Sequence, residues 1–309
     1  MSADAVVVDG LGKRFGDVAA LAGVSFTVAR GERFGVIGPD GAGKTSLFRV
    51  LATLLRPDAG TVRVLGLDPV RDLWTLRPRL GYMPGRFSLY PDLSVDENLH
   101  FFAAVFGTRM EDQRAQIDPV YRQLEPFRGR RAGALSGGMK QKLALCCALI
   151  HTPELLLLDE PTTGVDAVSR REFWDLLDEL QAQGLTVIVS TPYMDEATRC
   201  DRVALLQQGG VMAVDTPRAI ASSFGRPLFA VEAADRYKAL LALRAAPSTR
   251  SVFPFGASLH YTHAREDLDV GGVSAEVTDV LRHAGVAGAR VTSIEPTIED
   301  IFIARADAG

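Results

Sequence analysis

The 309-residue chain is 47% hydrophobic and 23% charged, with a formal net charge of −4. That is enough apolar material for one large domain and a small one, and its charges are too evenly mixed for nucleic acid to be the main ligand. Cys146, Cys147 and Cys200 form no C-x-x-C pair, which argues against a disulfide framework or a zinc site and fits a reducing cytosol.

The N-terminal residues 1–8 lack the basic flank and apolar stretch of a leader. In chain order, residues 5–8, 10–15, 24–28 and 33–37 read as short strands punctuated by glycine. A helix is expected from about Gly43 through residue 55. Where strand gives way to helix, Gly38-Pro39-Asp40-Gly41-Ala42-Gly43-Lys44-Thr45 matches G-x-x-x-x-G-K-[ST], the setting of a phosphate-binding loop. Glycines there let backbone N–H groups wrap an anion at a helix N-terminus. Lys44 would bring a charge to the β- and γ-phosphates, and Thr45 a hydroxyl to Mg²⁺.

Residues 95–124 carry Leu99, Phe102, Val105 and Phe106 at helical spacing, and 128–134 loosen into a basic loop. Together with the next helix, 137–150, they form a helical insertion over about residues 86–150. That helix opens on Ser136, Gly137 and Gly138, a capped N-terminus able to grip phosphate. The apolar strand 155–158 then ends in Asp159 and Glu160, two carboxylates at the carboxyl edge of a parallel sheet, where such folds bind ligands. Strand alternation sends them to opposite sides, Asp159 towards Mg²⁺ through water and Glu160 towards an attacking water as general base. The plainer reading is a pair of acids capping the following turn. Helix 170–183 leads into strand 186–190, and this alternation indicates a parallel sheet covered on both faces. The apolar runs 143–150 and 155–158 fall far short of the roughly 18 residues that cross a bilayer.

The pattern resets near residues 224–227. Strand 228–231, helix 235–243, strands 252–255 and 259–263, helix 273–283 and strand 290–294 follow, in the ferredoxin-like order. His260 and His263 lie three apart on an alternating strand and read as structural. Pro296 and Thr297 open a short helix whose Ile298, Ile301 and Phe302 form an apolar stripe.

The phosphate loop, Leu135-Ser136-Gly137-Gly138-Met139-Lys140-Gln141 and Asp159-Glu160, in this order and spacing, resemble the motif set of the ABC ATPases over about residues 5–222. The tail Ile294-Glu295-Pro296-Thr297-Ile298-Glu299-Asp300-Ile301-Phe302 resembles that of ATPases from daunorubicin-resistance-type (ABC-2) drug exporters. The resemblance implies an α/β P-loop NTPase cassette over 1–222, with a parallel-sheet core, an antiparallel N-terminal β-subdomain and the helical insertion. A small α+β accessory domain follows over 226–309. It implies ATP held by residues 38–46 (Gly38 to Ser46), by Ser136, Gly137 and Gly138 and by Asp159, with Mg²⁺ at Thr45 and Asp159. Phe15 would stack on adenine, or else lie buried as a strand residue. It further implies head-to-tail dimerisation, with Ser136 and Gly138 reaching the partner's γ-phosphate and Asp166, in Gly164-Val165-Asp166, on the loop that crosses between subunits. The membrane subunit would be a separate permease, and the location the cytoplasmic face of the cell membrane.

Two positions depart from that pattern. Gly85 follows Gly81-Tyr82-Met83-Pro84 where the family carries glutamine, and Pro192 follows Ser190-Thr191 where it carries a switch histidine. Both bear on the γ-phosphate, so slow hydrolysis is expected. Arg86 stands beside the first gap, as an electrostatic substitute or as an ordinary surface arginine. An ATP-gated dimerising regulatory module with negligible turnover and a non-transport ABC ATPase are the competing readings.

Overall fold

The computed structural model describes residues 4–86 and 88–306, and the chain divides into two compact units, 1–217 and 218–309. In the first, β1 (Val6–Phe15) pairs antiparallel with β2 (Val18–Val28) and later with β4 (Ala59–Val64). The short strands expected here merge, because irregularities in β1 pairing absorb Gly10 without ending the strand. Between β2 and β4 lie β3 (Arg33–Ile37) and α1 (Lys44–Leu51). α1 stops short of residue 55 because Thr53 takes a left-handed conformation, with Leu54 and Leu55 N–H groups both donating to Arg49 O.

After α2 (Leu73–Leu76) and β5 (Leu80–Met83), the helical insertion comprises α3 (Val95–Val105), α4 (Arg114–Tyr121) and α5 (Gly137–Leu149). Ser94 and Glu97 form a reciprocal capping box at the start of α3. The single helical stretch expected over 95–124 is broken. Gly107 turns left-handed, and N–H groups of Gly107 and Thr108 donate to Ala104 O and Ala103 O in a Schellman stop.

Then β6 (Leu155–Asp159), α6 (Ala167–Ala182), β7 (Thr186–Thr191), β8 (Arg202–Gln207) and β9 (Gly210–Asp215) complete a six-stranded sheet in the order β5-β6-β7-β3-β8-β9. All its pairings are parallel except the β8–β9 hairpin, which sequence periodicity did not reveal. Register decides where the loops emerge. Met83 pairs with Leu158, Asp159 with Ser190, and Ile37 with Thr191. The carboxyl ends of β5, β6, β7 and β3 therefore finish on one line, and the chain leaves each within a residue or two of it. β3 and β6 are buried along their whole lengths, as strands covered on both faces require. The buried face of α1 (Leu47, Phe48, Val50, Leu51) joins Val6, Val8 and Val62 in the same core as Leu155 and Leu157.

The second unit takes in α7 (Pro217–Ser222) from Arg218 onward. Its boundary thus lies ahead of the sequence reset near 224. β10 (Leu228–Glu232), α8 (Arg236–Ala245), β11 (Thr249–Phe255), β12 (Ser258–His263), α9 (Val270–His283) and β13 (Arg290–Ile294) give β-α-β-β-α-β. The sheet is antiparallel in the order β11-β12-β10-β13, the ferredoxin-like arrangement. Phe229, Val231, Leu259 and Tyr261 pack with Leu243 of α8 and Val277 of α9. α10 (Ile298–Ala306) closes the chain, with Ile298 and Ile301 buried. His260 Nδ1 lies 2.5 Å from buried Asp300 Oδ1, and His263 Nε2 lies 3.0 Å from Glu276 Oε2. Among the described residues no helix is long and apolar enough to cross a membrane.

Candidate nucleotide-binding site

The loop between β3 and α1 turns on Gly43, whose φ of 103° and close approach to Ala20 O leave no room for a Cβ. Gly43 gives α1 no side-chain cap and the first turn carries no acid, so the helix presents free N–H groups and its positive end to an anion. Asp40 and Gly41 are exposed, Thr45 and Ser46 half-buried. Lys44 is only 3% exposed and would be costly to bury alone. Three oxygens satisfy it: Nζ donates to Gly38 O at 2.8 Å and Pro39 O at 3.0 Å, and sits 3.0 Å from Glu160 Oε1.

Asp159 is buried at the end of β6, where it accepts from Ser190 Oγ at 2.7 Å and from the Thr45 side chain. Burial holds its carboxyl above the usual carboxylate range, against the pull of Ser190, Thr45 and Lys44. Glu160 has left the strand: its φ is 51°, and its N–H is shared between Ser190 O (3.1 Å) and Ser190 Oγ (3.0 Å). The two carboxylates do take different partners, but the left-handed backbone at Glu160 separates them, so the strand alternation expected from sequence is not the reason. A non-glycine residue held this way stores of order 1–3 kcal/mol and persists only where its surroundings fix it.

Gly85 and Pro192, the two positions that depart from the family pattern, follow β5 and β7. A Cβ on Gly85 would lie 3.0 Å from Asp159 O and 3.8 Å from the Glu160 Cβ, so a side chain there would start against the end of β6. Pro192 follows β7 without an N–H to offer, and the Tyr193 N–H beyond it is taken by Thr191 Oγ1 at 3.0 Å. Arg86 is exposed.

Residues 21–163 match the family described as "ABC transporter". The multidrug ABC transporter ATP-binding protein YbhF of Escherichia coli K12, described as probable, is 39% identical over 308 residues, 97% of this chain and 52% of YbhF. The chain thus spans about half the length of that relative. Daunorubicin resistance ATP-binding protein DrrA3 of Streptomyces coeruleorubidus is 37% identical over 319 residues, 98% of this chain and 96% of DrrA3.

The chain belongs to the ABC transporter family.

Its first unit is the ABC cassette fold, α/β with a parallel core, as the motifs implied. The dimeric structure of a post-hydrolysis state of the ATP-binding cassette MJ0796, bound to ADP and Pi, matches with a TM-score of 0.61 and 26% identity, over 68% of this chain and 98% of that one.

Elsewhere in the cassette, Ser136 caps α5 by accepting from Met139 N at 3.3 Å. A Cβ on Gly137 would face Gly164 O, and one on Gly138 would meet Ser169 at 2.5 Å, so packing of α5 on α6 already requires glycine at 138. These neighbours do not include the phosphate loop. Asp166 caps α6, accepting from Val168 and Ser169 N–H groups at 3.0 Å, and the Ser169 backbone bond leads in lowering its pKa. Phe15 ends β1 with 49% of its surface exposed and Lys13 Nζ 5.6 Å from its ring centre, which overturns the buried-strand alternative. Sequence reasoning missed Ser190, which holds Asp159 and Glu160 at once. It also missed Thr162, whose hydroxyl donates to buried Glu196 at 3.0 Å. Neither has a local signal, since each acts on a residue some thirty positions away.

Proposed function

We propose that this chain is the ATP-binding and hydrolysing subunit of an ABC transporter that exports drug-like or lipophilic compounds. The observation that carries the reading is the gathering of Lys44, Thr45, Asp159 and Glu160 at the carboxyl ends of β3 and β6. A nucleotide would lay its phosphates on the α1 N-terminus and Lys44, with Phe15 as a flat, exposed platform for adenine. Asp159, buried and touched by the Thr45 hydroxyl, suits Mg²⁺, which when bound would neutralise phosphate charge. Glu160 is the base for the attacking water, and to serve it must leave Lys44.

Ser136, Gly137, Gly138 and Asp166 have partners of their own within the chain, and in this reading they also meet the nucleotide of a second cassette, in a dimer like that of MJ0796. The exporter assignment follows the likeness to YbhF and DrrA3. The permease is a separate chain, at whose cytoplasmic side, on the inner face of the cell membrane, this subunit works with its accessory domain, 218–309.

Hydrolysis is slow in this reading, since phosphoryl transfer depends on positioned donors and each one lost costs about 10²–10³ in rate. Gly85 and Pro192 favour, as a second reading, an ATP-gated dimerising module with negligible turnover. Steady-state phosphate release, measured for the purified chain beside Pro192→His and Gly85→Gln, decides the matter. A slow parent accelerated by Pro192→His supports the weak engine, a vigorous parent that neither change accelerates ends the degeneracy argument, and no saturable ATP binding ends the whole reading.

A further inference from the structure

The β8–β9 hairpin closes on a two-residue turn: Gln207 pairs with Gly210, and Gln208 and Gly209 take φ of 48° and 79°. Positive φ at both central residues is the type I′ geometry, which suits Asn-Gly and strains a glutamine in first place. The turn is not a free tip. Gly209 N–H donates to Ala42 O at 3.1 Å, inside the β3–α1 loop, and Gly209 O accepts from Ala22 N–H of β2 at 2.8 Å. A Cβ on Gly209 would lie 2.9 Å from Ala20 O and 3.1 Å from the Ala20 carbonyl carbon. Nearby, a Cβ on Gly38 would run into Leu206 O, and one on Gly43 into Ala20 O. The β3–α1 loop is thus pressed backbone to backbone against β8 and β2.

A turn of this type calls for glycine or asparagine wherever it lies, but it does not call for an acceptor at its tip. The bond to Ala42 acts on the loop. In a planar trans peptide the carbonyl and the following N–H point in opposite directions. With Ala42 O turned towards Gly209, the Gly43 N–H is turned away from the hairpin, and among the described residues no acceptor in the chain takes it. Gly43 is the N-cap of α1, where free N–H groups and the helix dipole favour an anion. Having no Cβ, Gly43 does little to stop the Ala42–Gly43 peptide from flipping, and a flipped peptide would offer an oxyanion a carbonyl in place of an N–H. The restraint has to come from outside the loop.

We propose that Gly209 is a positioning residue for nucleotide phosphate: its N–H fixes the Ala42–Gly43 peptide so that the Gly43 N–H is aimed at the anion, while Gly209 itself touches no nucleotide. This inference rests on the nucleotide reading proposed above.

Gly209→Ala sets a side chain against Ala20 and strains the turn, which should draw the N–H off Ala42. Calorimetric titration of the full chain with Mg-ADP, well below Tm, should show affinity lowered about tenfold by this change. Gln208→Asn relaxes the turn and leaves the Gly209 N–H in place, so it should raise Tm and keep affinity within about twofold of the parent. A merely structural glycine would lower Tm on substitution and leave the affinity of the folded chain as it was. Should Gly209→Ala fail to fold, hydrogen exchange of the unaltered chain decides, because saturating Mg-ADP should then slow exchange of the Gly209 amide at least about threefold. Unchanged ADP affinity in folded Gly209→Ala, or a Gly209 amide whose exchange ignores ADP, overturns this inference alone. Absence of saturable ADP binding in the parent ends the nucleotide reading and the inference with it.

Discussion

Lys44 Nζ and Glu160 Oε1 are 3.0 Å apart while Nζ also holds the carbonyls of Gly38 and Pro39. One ammonium with three donors cannot keep all of these and also take a phosphate. Nucleotide binding should therefore release Glu160, which frees it for the role of base proposed above. Glu160→Gln removes both the competing ion pair and a negative charge beside the phosphates. ATP affinity should rise about three- to tenfold, while phosphate release falls by at least about 10². Equilibrium binding and single-turnover release on the same preparation check both, and a drop in affinity would contradict the exchange.

Asp159 is the group whose titration should show in stability. Burial raises its folded-state pKa above the ordinary carboxylate value, so the folded chain holds this proton more tightly than the unfolded chain. Its contribution is fully present below the unfolded pKa and is lost as pH rises through the raised folded one. In Mg²⁺-free buffer Asp159→Asn should raise Tm at neutral pH and flatten that part of the pH profile. It should also abolish the Mg²⁺-dependent gain in Tm with ATP. Thermal melts across pH 4–8, a window taken about the carboxylate range, provide the measurement.

Ser190 is predicted to matter more than its plain position suggests. Ser190→Ala removes the donor to a buried carboxylate and one acceptor of the Glu160 N–H. Leaving a buried charge under-satisfied costs about 1–3 kcal/mol, read as a lowered urea midpoint at unchanged m value. A loss near zero would mean that water replaces the hydroxyl.

Gly85→Gln carries a steric penalty. Its Cβ begins 3.0 Å from Asp159 O, closer than carbon and oxygen comfortably pack, so overpacking of about 1–3 kcal/mol is expected. Gly85→Ala should reproduce the fall in Tm without adding an amide. If neither variant is destabilised, the loop holding Gly85 moves freely away from β6.

In the second unit, His260 Nδ1 and the Thr297 hydroxyl and N–H all serve the fully buried Asp300, with the Phe255 ring stacked 4.0 Å from that of His260. Asp300 ties the start of α10 to β12. His260→Ala leaves a buried charge short of a partner, at a cost of about 3 kcal/mol. Hydrogen exchange should speed up in α10 and β12 with nucleotide affinity unchanged, and loss of nucleotide binding in this variant would contradict the division into separate units.

By itself the sequence determined the cassette, because its chemistry is written in contiguous residues. The run from Gly38 to Thr45 places glycines where the turn takes positive φ, and the apolar run before Asp159, bounded by turn residues, fits a buried strand. The same holds for the β-α-β-β-α-β order after residue 227, where periodicity switches cleanly between strand and helix. What only the tertiary structure decided depends on pairs distant in the chain. The register Asp159–Ser190 set a serine under both carboxylates, and the pairing of β1 with β2 left Phe15 exposed at a strand end. The approach of β5 to β6 gave Gly85 a steric reason, and the folding of α10 onto β12 set His260 against the buried Asp300. Local pattern records which face of an element is apolar, whereas register and packing fix which neighbour that face meets, and no short window of residues contains the neighbour.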